Sequence, residues 1–389
     1  MHYRRKLDLE AILDKKSVLL LGPRSTGKSF YIRNQLANYH YINLLKSSDF
    51  LLLSAAPDEL ENIVKQHSDK FIVIDEIQKI PILLDEVHRL IEECGTIFLL
   101  TGSSARKLRS HGVNLLAGRA WLASMFPFNF GEIVENEGKF DLSKMIQFGA
   151  LPHVWTSTDP LEELDSYVQT YIEMEIKAEG IIRKIPAFSR FLKAAALHSG
   201  ELLNYQNISS DAGVPVSTVK EHYQVLEDTL VGFTLEPWTE SKKRKAIATG
   251  KFYFFDIGVL NFISDITPQS ENSTEWGSRF EHFIVNEIRC ANAYMRKKAK
   301  IYFWRSTAGH EVDIIFGEVA IEIKSTKKVV GKHLKGLRAL REESKFSRYI
   351  LVSRDKQSRK LDGFDCLYFE DFLRELWSEG SLKRSSDTL

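Results

Sequence analysis

The sequence predicts an α/β chain built on a parallel five-stranded sheet, and three observations predict it. Short apolar runs of strand length alternate with helical segments through residues 1–126. One run leads straight into a glycine-bearing loop that opens a helix. Another ends in two adjacent acids. Apolar strands separated by helical segments imply a parallel sheet covered by helices on both faces.

The elements follow in order. SVLLLG (17–22) is a short apolar strand, and a helix continues from Lys28 to Leu36. HYINLL (40–45) is a second strand, followed by a polar helical stretch near 57–66. FIVID (71–75) is the third strand, bounded by charge on both sides. Residues 81–94 carry Ile82, Leu83, Val87, Leu90 and Ile91 at helical spacing. TIFLLTGSS (96–104) and AWLASMF (120–126) are the fourth and fifth strands. Residues 127–182 are richer in aromatics and helical spacing, with breaks at Pro127, Gly131, Gly138, Gly149 and Pro152, and read as a small helical lid. Three short helices and the strand FTLEPW occupy 187–238, and KFYFFD (251–256) is a further strand. From Trp276 the order is α-β-β-β-α-β, with a helix at 277–292, strands at 300–304, 311–316 and 319–323, a helix at about 329–343 and a strand at 348–352. The domains expected are 1–126, 127–182, 183–260 and 261–389.

Composition bounds the class. A chain of 389 residues exceeds one ordinary core. Its 43% apolar and 27% charged residues are those of ordinary globular protein. No apolar run approaches the roughly 18–20 residues that span a bilayer, and the charged start MHYRRKLDLEAILDKK lacks an apolar signal core. Cys94, Cys290 and Cys366 are too few and too scattered for a disulfide framework or a cysteine zinc site, so a reducing cytoplasm is expected. Net charge is +1, unevenly spread. Residues 1–182 carry 20 Lys+Arg against 25 Asp+Glu, and residues 183–389 carry 33 against 27. A basic back half is compatible with nucleic-acid contact or with surface solvation alone.

Gly22-Pro23-Arg24-Ser25-Thr26-Gly27-Lys28-Ser29 fits G-x-x-x-x-G-K-[ST] at every fixed position, after an apolar strand and at a helix start. The glycines let main-chain N–H groups turn inward around phosphate oxygens, and the helix N-terminus adds its positive dipole end. Lys28 is placed to reach the β- and γ-phosphates and Ser29 to ligate Mg²⁺. FIVIDE delivers Asp75 and Glu76 at a strand's carboxyl end, where ligands gather in open parallel sheets. Asp75 suits Mg²⁺ or its water, and Glu76 suits the attacking water as proton acceptor. Together they predict an ATP- and Mg²⁺-dependent hydrolase. In LLTGSS, Ser103 and Ser104 are both candidates to touch the γ-phosphate or that water. Arg119, just before the fifth strand, suits the nucleotide of a neighbouring subunit or a surface role.

GPRSTGKS, IVIDEIQKIP, LLTGSS and the LAGRA…FPFNFGE stretch together resemble the AAA+ ATPases of bacteria and archaea. In one subset of these, the module precedes a C-terminal domain of unknown function, and DIGVLN and EVDIIF…IEIK resemble segments of that domain. The resemblance implies a five-stranded AAA+ core, a helical lid and a homo-oligomer. It also implies proton relay by Glu76 and action in trans by Arg119. No second sensor arginine stands out in the lid.

ISSDAGVPVSTVKEHYQVL has the helix-turn-helix pattern, with Ala212-Gly213-Val214 as the turn and Val219, Tyr223 and Leu226 as the buried stripe. The strands at 232–238 and 251–255 would make a wing carrying Lys242–Lys245. Ser217, Thr218, Lys220 and His222 would be available to base edges. A winged helix used for packing fits as well, because Glu221, Glu227 and Asp228 weaken phosphate neutralisation.

Near the C-terminus, Asp313 lies on one strand, with Glu322 and Lys324 on one face of the next. Asp313 and Glu322 could share one Mg²⁺ beside Lys324, with Glu281 as a third carboxylate. This D-x8-E-x-K spacing in an α-β-β-β-α-β order resembles the PD-(D/E)xK nuclease superfamily over about 276–352. That resemblance implies metal binding by Asp313 and Glu322 and nucleophile positioning by Lys324. An inactive scaffold that binds DNA through 183–352 and a nucleotide-switched regulatory protein are alternatives.

Overall fold

Two sheets organise the computed structural model, which describes residues 3–67, 70–104, 115–169, 185–378 and 382. The first half of the chain runs α1 (Glu10–Leu13), β1 (Ser17–Leu21), α2 (Lys28–Gln35), β2 (Tyr39–Asn43), α3 (Ser47–Ala55), α4 (Glu59–Gln66), β3 (Phe71–Asp75), α5 (Leu83–Cys94), β4 (Phe98–Gly102) and β5 (Ala120–Ser124). The five strands lie in the order β2-β3-β4-β1-β5, and every pairing is parallel. β1 is buried at all five positions because both faces of the sheet are covered. Leu19, Leu21, Ile72, Ile74 and Leu100 point to the face packed by Leu60, Val64, Val87 and Leu90 of α4 and α5. Val18, Leu20, Val73 and Leu99, one residue out of step, point to the other face with Tyr31 and Ile32 of α2. Each fully buried aliphatic side chain contributes roughly 1.5–3 kcal/mol relative to exposure.

Four helices follow: α6 (Phe130–Glu137), α7 (Leu142–Phe148), α8 (Pro152–Thr156) and α9 (Pro160–Tyr167). A reciprocal capping box starts α6, with Asn129 accepting from the Glu132 N–H and Glu132 returning to the Asn129 N–H. The part of the expected lid at 170–182 lies outside the described residues. Next come α10 (Ile185–Leu197), α11 (Tyr205–Ala212) and α12 (Val216–Asp228), then β6 (Gly232–Pro237), β7 (Lys251–Phe254) and α13 (Ile257–Ser264). Gly213, at φ +62, closes α11 where the sequence places the turn between helices.

The remaining elements are α14 (Thr274–Tyr294), β8 (Ile301–Arg305), β9 (Glu311–Phe316), β10 (Val319–Lys324), α15 (Lys335–Glu343), β11 (Arg348–Ser353), β12 (Arg359–Leu361), β13 (Phe364–Tyr368) and α16 (Phe369–Trp377). They build an eight-stranded sheet ordered β12-β13-β11-β10-β9-β8-β6-β7. The α-β-β-β-α-β order from Trp276 is present in α14 to β11. The β6–β7 hairpin, expected at 232–255 as a separate wing, pairs antiparallel within itself but also joins this sheet. Glu236 and Pro237 run parallel to Tyr302 and Phe303 of β8. Two helices of the expected lid also pack beyond it. Ile133, Met145 and Ile146 share a core with Trp276, Phe280 and Ile284 of α14 and with Ile321 and Ile323 of β10.

α14 therefore reaches both sheets. Its Phe280 and Ile284 sit on the eight-stranded sheet, while Cys290 and Tyr294 enter the core beneath Val18 and Leu20 of the five-stranded one.

Candidate active site

The loop between β1 and α2 bends through two left-handed residues, Ser25 at φ +58 and Gly27 at φ +92. Gly22 has no room for a side chain, since a Cβ would come 2.4 Å from the Met125 carbonyl oxygen. Thr26 is buried and donates from Oγ1 to the Pro23 carbonyl at 2.8 Å, tightening the bend. Lys28 is buried and donates from Nζ to the carbonyls of Gly22 at 2.7 Å and Pro23 at 3.0 Å. The ammonium therefore lies inside the loop, on the side where a phosphate chain would enter.

Parallel pairing through β4 sets the end of β3 beside this loop. Ser29 Oγ donates to Asp75 Oδ2 at 2.8 Å. Asp75 is 2% exposed and is held by two further hydroxyls, Tyr41 on its Oδ2 and Thr101 on its Oδ1. Burial, then the adjacent carboxylate, pushes the Tyr41 phenol up to about 12, so it stays a donor. A serine hydroxyl and a carboxylate in contact at a helix start form a hard-oxygen pair of the kind Mg²⁺ takes. The residues present fit that ion.

Glu76 turns out of the strand with φ +62, a left-handed conformation uncommon for glutamate. Its backbone N–H donates to Thr101 Oγ1 at 3.1 Å. Ser103 Oγ lies 3.4 Å from Glu76 Oε2. Ser104 is 4% exposed, and its hydroxyl has no partner among the described residues. Of the two serines, Ser103 is thus the one in contact with Glu76. Arg119 stands apart from this group, before β5, paired with Glu92 of α5.

Several residues at the site were not singled out from sequence. Tyr41 and Thr101 reach Asp75 from neighbouring strands, which no local spacing reveals. Gln78 lies inside the quoted IVIDEIQKIP run and bonds Glu76. Arg5 is buried and donates to the Thr26 carbonyl at 2.7 Å and to the Phe126 carbonyl at 2.6 Å. It also donates to the Tyr294 hydroxyl at 3.1 Å and ion-pairs Glu132 at 3.0 Å.

A second charged cluster forms on β9 and β10. Lys324 Nζ lies 2.6 Å from Glu322 Oε1 and 3.5 Å from Asp313 Oδ2. Asp313 also accepts from the Ile323 N–H at 2.7 Å. Burial raises the pKa of both carboxyls, and for Glu322 the neighbouring Asp313 adds to it. Glu322 Oε2 is buried with no hydrogen-bond partner among the described residues. The expected third carboxylate, Glu281, accepts from Tyr253 Oη at 2.8 Å and faces Lys251 Nζ at 3.4 Å, and its charge adds to the raised pKa of Asp313. Lys251, from β7, also pairs with Glu311 at 2.6 Å. No group of three acids, histidines or cysteines among the described residues is arranged to hold a metal ion. Asp313, Glu322 and Lys324 are brought together, and Glu281 lies near enough to act on the charges of Asp313 and Lys324.

On the helix-turn-helix segment, one expected surface residue is inside. His222 is 7% exposed, with its ring centroid 5.0 Å from Phe188 and 4.9 Å from Phe191. Its place on α12 faces α10, so it cannot meet a base edge. Ser217 and Lys220 are exposed. In the β6–β7 loop, Arg244 is tied to Glu342 and Glu343 at 2.7 Å each.

Comparison with known proteins adds to this geometry. Residues 14–134 match an AAA domain family. Residues 139–270 match a domain of unknown function, DUF8612, and residues 276–372 another, DUF4143. An uncharacterized protein of Mycobacterium tuberculosis is 25% identical over 308 residues, 76% of this chain and 66% of its own length. The chain thus spans just under two thirds of that relative. An uncharacterized protein of Methanocaldococcus jannaschii is 25% identical over 364 residues, 83% of this chain and 78% of its own. The Aeropyrum pernix Orc1 protein in complex with DNA aligns over 68% of this chain and 93% of that one, at 14% identity. Its TM-score of 0.29 is too loose a superposition to argue from. No helix among the described residues is long and apolar enough to cross a membrane.

Proposed function

We propose, from the match of residues 14–134 to an AAA domain family, that the chain binds Mg·ATP at Gly22–Ser29 and hydrolyses it. The contact of Ser29 Oγ with Asp75 Oδ2 at 2.8 Å carries this reading. It sets the helix that follows the phosphate loop against the strand end that delivers both acids. Gly22, Pro23, Arg24, Ser25, Thr26 and Gly27 supply the loop whose amides surround phosphate. Lys28 neutralises the β- and γ-phosphates, and Ser29 and Asp75 hold Mg²⁺. The ion, when bound, supplies charge neutralisation on the phosphates. Glu76 accepts the proton of the attacking water, and Ser103, rather than Ser104, stands beside it. Arg119 would act on the nucleotide of a neighbouring copy in a homo-oligomer.

The back half is the part that acts, and DNA is the partner it fits best. Support comes from the basic balance of 183–389, the exposed Ser217 and Lys220 on α12 and the hairpin joined to the C-terminal sheet. In this reading 183–260 is a winged helix and 261–389 a nuclease-like domain. Asp313 and Glu322 would bind Mg²⁺ there, and the unpartnered Glu322 Oε2 favours a missing ligand. Lys324, which already pairs with Asp313 and Glu322, favours the second reading, a nucleotide-switched regulator on an inactive scaffold.

Mg²⁺-dependent ATP turnover with single-stranded, double-stranded and no DNA, run beside a cleavage gel, tests these readings. DNA-stimulated turnover supports DNA as partner, and cleavage lost in Asp313→Ala or Lys324→Ala supports a nuclease. Turnover that ignores DNA, with no substrate cut, supports the regulator. No turnover under any condition removes the ATPase.

A further inference from the structure

Gln78 lies two residues beyond Glu76, in the single turn Ile77–Lys79, and is 7% exposed. Its Nε2 donates to Glu76 Oε2 and, at 3.1 Å, to Ser103 Oγ. Ser103 Oγ faces the same carboxylate oxygen at 3.4 Å. One oxygen of Glu76 is therefore gripped from two sides by the turn after β3 and the end of β4.

Holding this grip is costly to the fold. The other end of the amide, Oε1, is buried without a hydrogen-bond partner among the described residues, which costs about 1–3 kcal/mol. It fits only because position 102 is glycine, where a Cβ would meet Gln78 Oε1 at 2.9 Å and Leu21 Cδ2 at 3.2 Å. Glu76 itself sits at φ +62, a conformation that costs about 1–3 kcal/mol in a non-glycine residue. A glutamine serving packing alone would be replaced at no loss by an apolar side chain of like volume. Two costs, the unpaired amide oxygen of Gln78 and the left-handed backbone of Glu76, meet at one carboxylate.

We propose that Gln78 is a positioning residue for Glu76. Its amide commits Oε2 to the protein, so that Oε1 is the oxygen presented to the attacking water. The inference rests on the ATPase reading above and assigns Gln78 no contact with nucleotide or Mg²⁺. The amide nitrogen is an obligate donor toward a carboxylate, so glutamate at this position would reverse the interaction.

The test is steady-state ATP turnover of Gln78→Ala and Gln78→Glu, each in the wild-type and Glu76→Gln backgrounds. Fluorescent-nucleotide affinity and thermal unfolding are measured alongside. Gln78→Ala should lower kcat about ten-fold or more with nucleotide affinity unchanged. In the Glu76→Gln background the same change should have no further effect, because both alter one unit. Gln78→Glu puts an acceptor where Glu76 Oε2 has a donor, so kcat should fall at least as far as in Gln78→Ala, again with nucleotide affinity unchanged. A packing role would lower the melting temperature and leave kcat of the folded enzyme unchanged. Wild-type kcat in Gln78→Ala, or full additivity with Glu76→Gln, overturns the inference. If Gln78→Ala does not fold, wild-type kcat in Gln78→Glu overturns it. Should the wild type show no turnover that depends on Lys28, the ATPase reading itself fails. Neutral Gln78 variants of an active enzyme overturn the positioning role alone.

Discussion

Lys28 lies in a loop that is already wrapped around it. Its Nζ satisfies the carbonyls of Gly22 and Pro23, so an arriving phosphate chain replaces neutral acceptors with charged ones. Lys28→Ala should therefore abolish ATP binding in isothermal titration, and retained binding would remove the phosphate-cradle role. Legibility at this scale divides along the same line. Gly22–Ser29, Asp75 and Glu76 are readable because each belongs to a run whose chemistry is local in sequence. Tyr41, Thr101 and Arg5 are not. They meet Asp75 or Thr26 across 34, 26 and 21 positions, through strand order and not through spacing. The partners of Glu281, Tyr253 and Lys251, come to it from β7 and are equally invisible in local spacing.

Elements were legible where burial on two faces left a continuous apolar run. β1, β3 and β4 fall within a residue or two of the expected limits for that reason. α3 carries no readable helical pattern because its leucines do not form a buried stripe: Leu53 is buried, but Leu51 is 64% and Leu52 48% exposed. β12, β13 and α16 lie beyond the last pattern that the α-β-β-β-α-β order supplies. At the edge of the first sheet, Arg119 precedes β5 and pairs with Glu92. If it serves a neighbouring copy, mixing Arg119→Ala with Glu76→Gln subunits should restore part of the ATPase lost by each alone. No restoration in a proven oligomer would make the arginine structural. On α12 the packing of His222 between Phe188 and Phe191 gives a separate expectation. His222→Ala should cost about 2–4 kcal/mol in chemical denaturation, whereas Lys220→Ala should change stability by no more than about 0.5 kcal/mol.

Across the whole molecule, α14 and the N-terminal segment bind the two sheets into one body. Arg5 touches the phosphate loop, the end of β5, α6 and α14 at once. Arg5→Ala would strand the buried Glu132 carboxylate and should destabilise the fold by about 3–5 kcal/mol, read by denaturant unfolding. Glu287 makes a second seam, accepting from the Phe130 N–H at 2.7 Å and from Trp377 Nε1 at 2.7 Å. Burial lifts its pKa from 4.5 to about 8. The folded state then keeps a proton that the unfolded chain releases. Its contribution is fully favourable below about pH 4.5 and is eroded as pH rises toward about 8. Glu287→Gln should flatten the fall in stability across that window, and an unchanged slope would refute the assignment.

Glu76→Gln puts the account to its sharpest trial, with Mg·ATP affinity and single-turnover hydrolysis measured on the same preparation. The Ser29–Asp75 pair and Lys28 are untouched by the change, so affinity should stay near that of the wild type. Loss of the proton acceptor should slow hydrolysis by about 10²-fold or more. Hydrolysis at the wild-type rate would contradict Glu76 as the group that activates water.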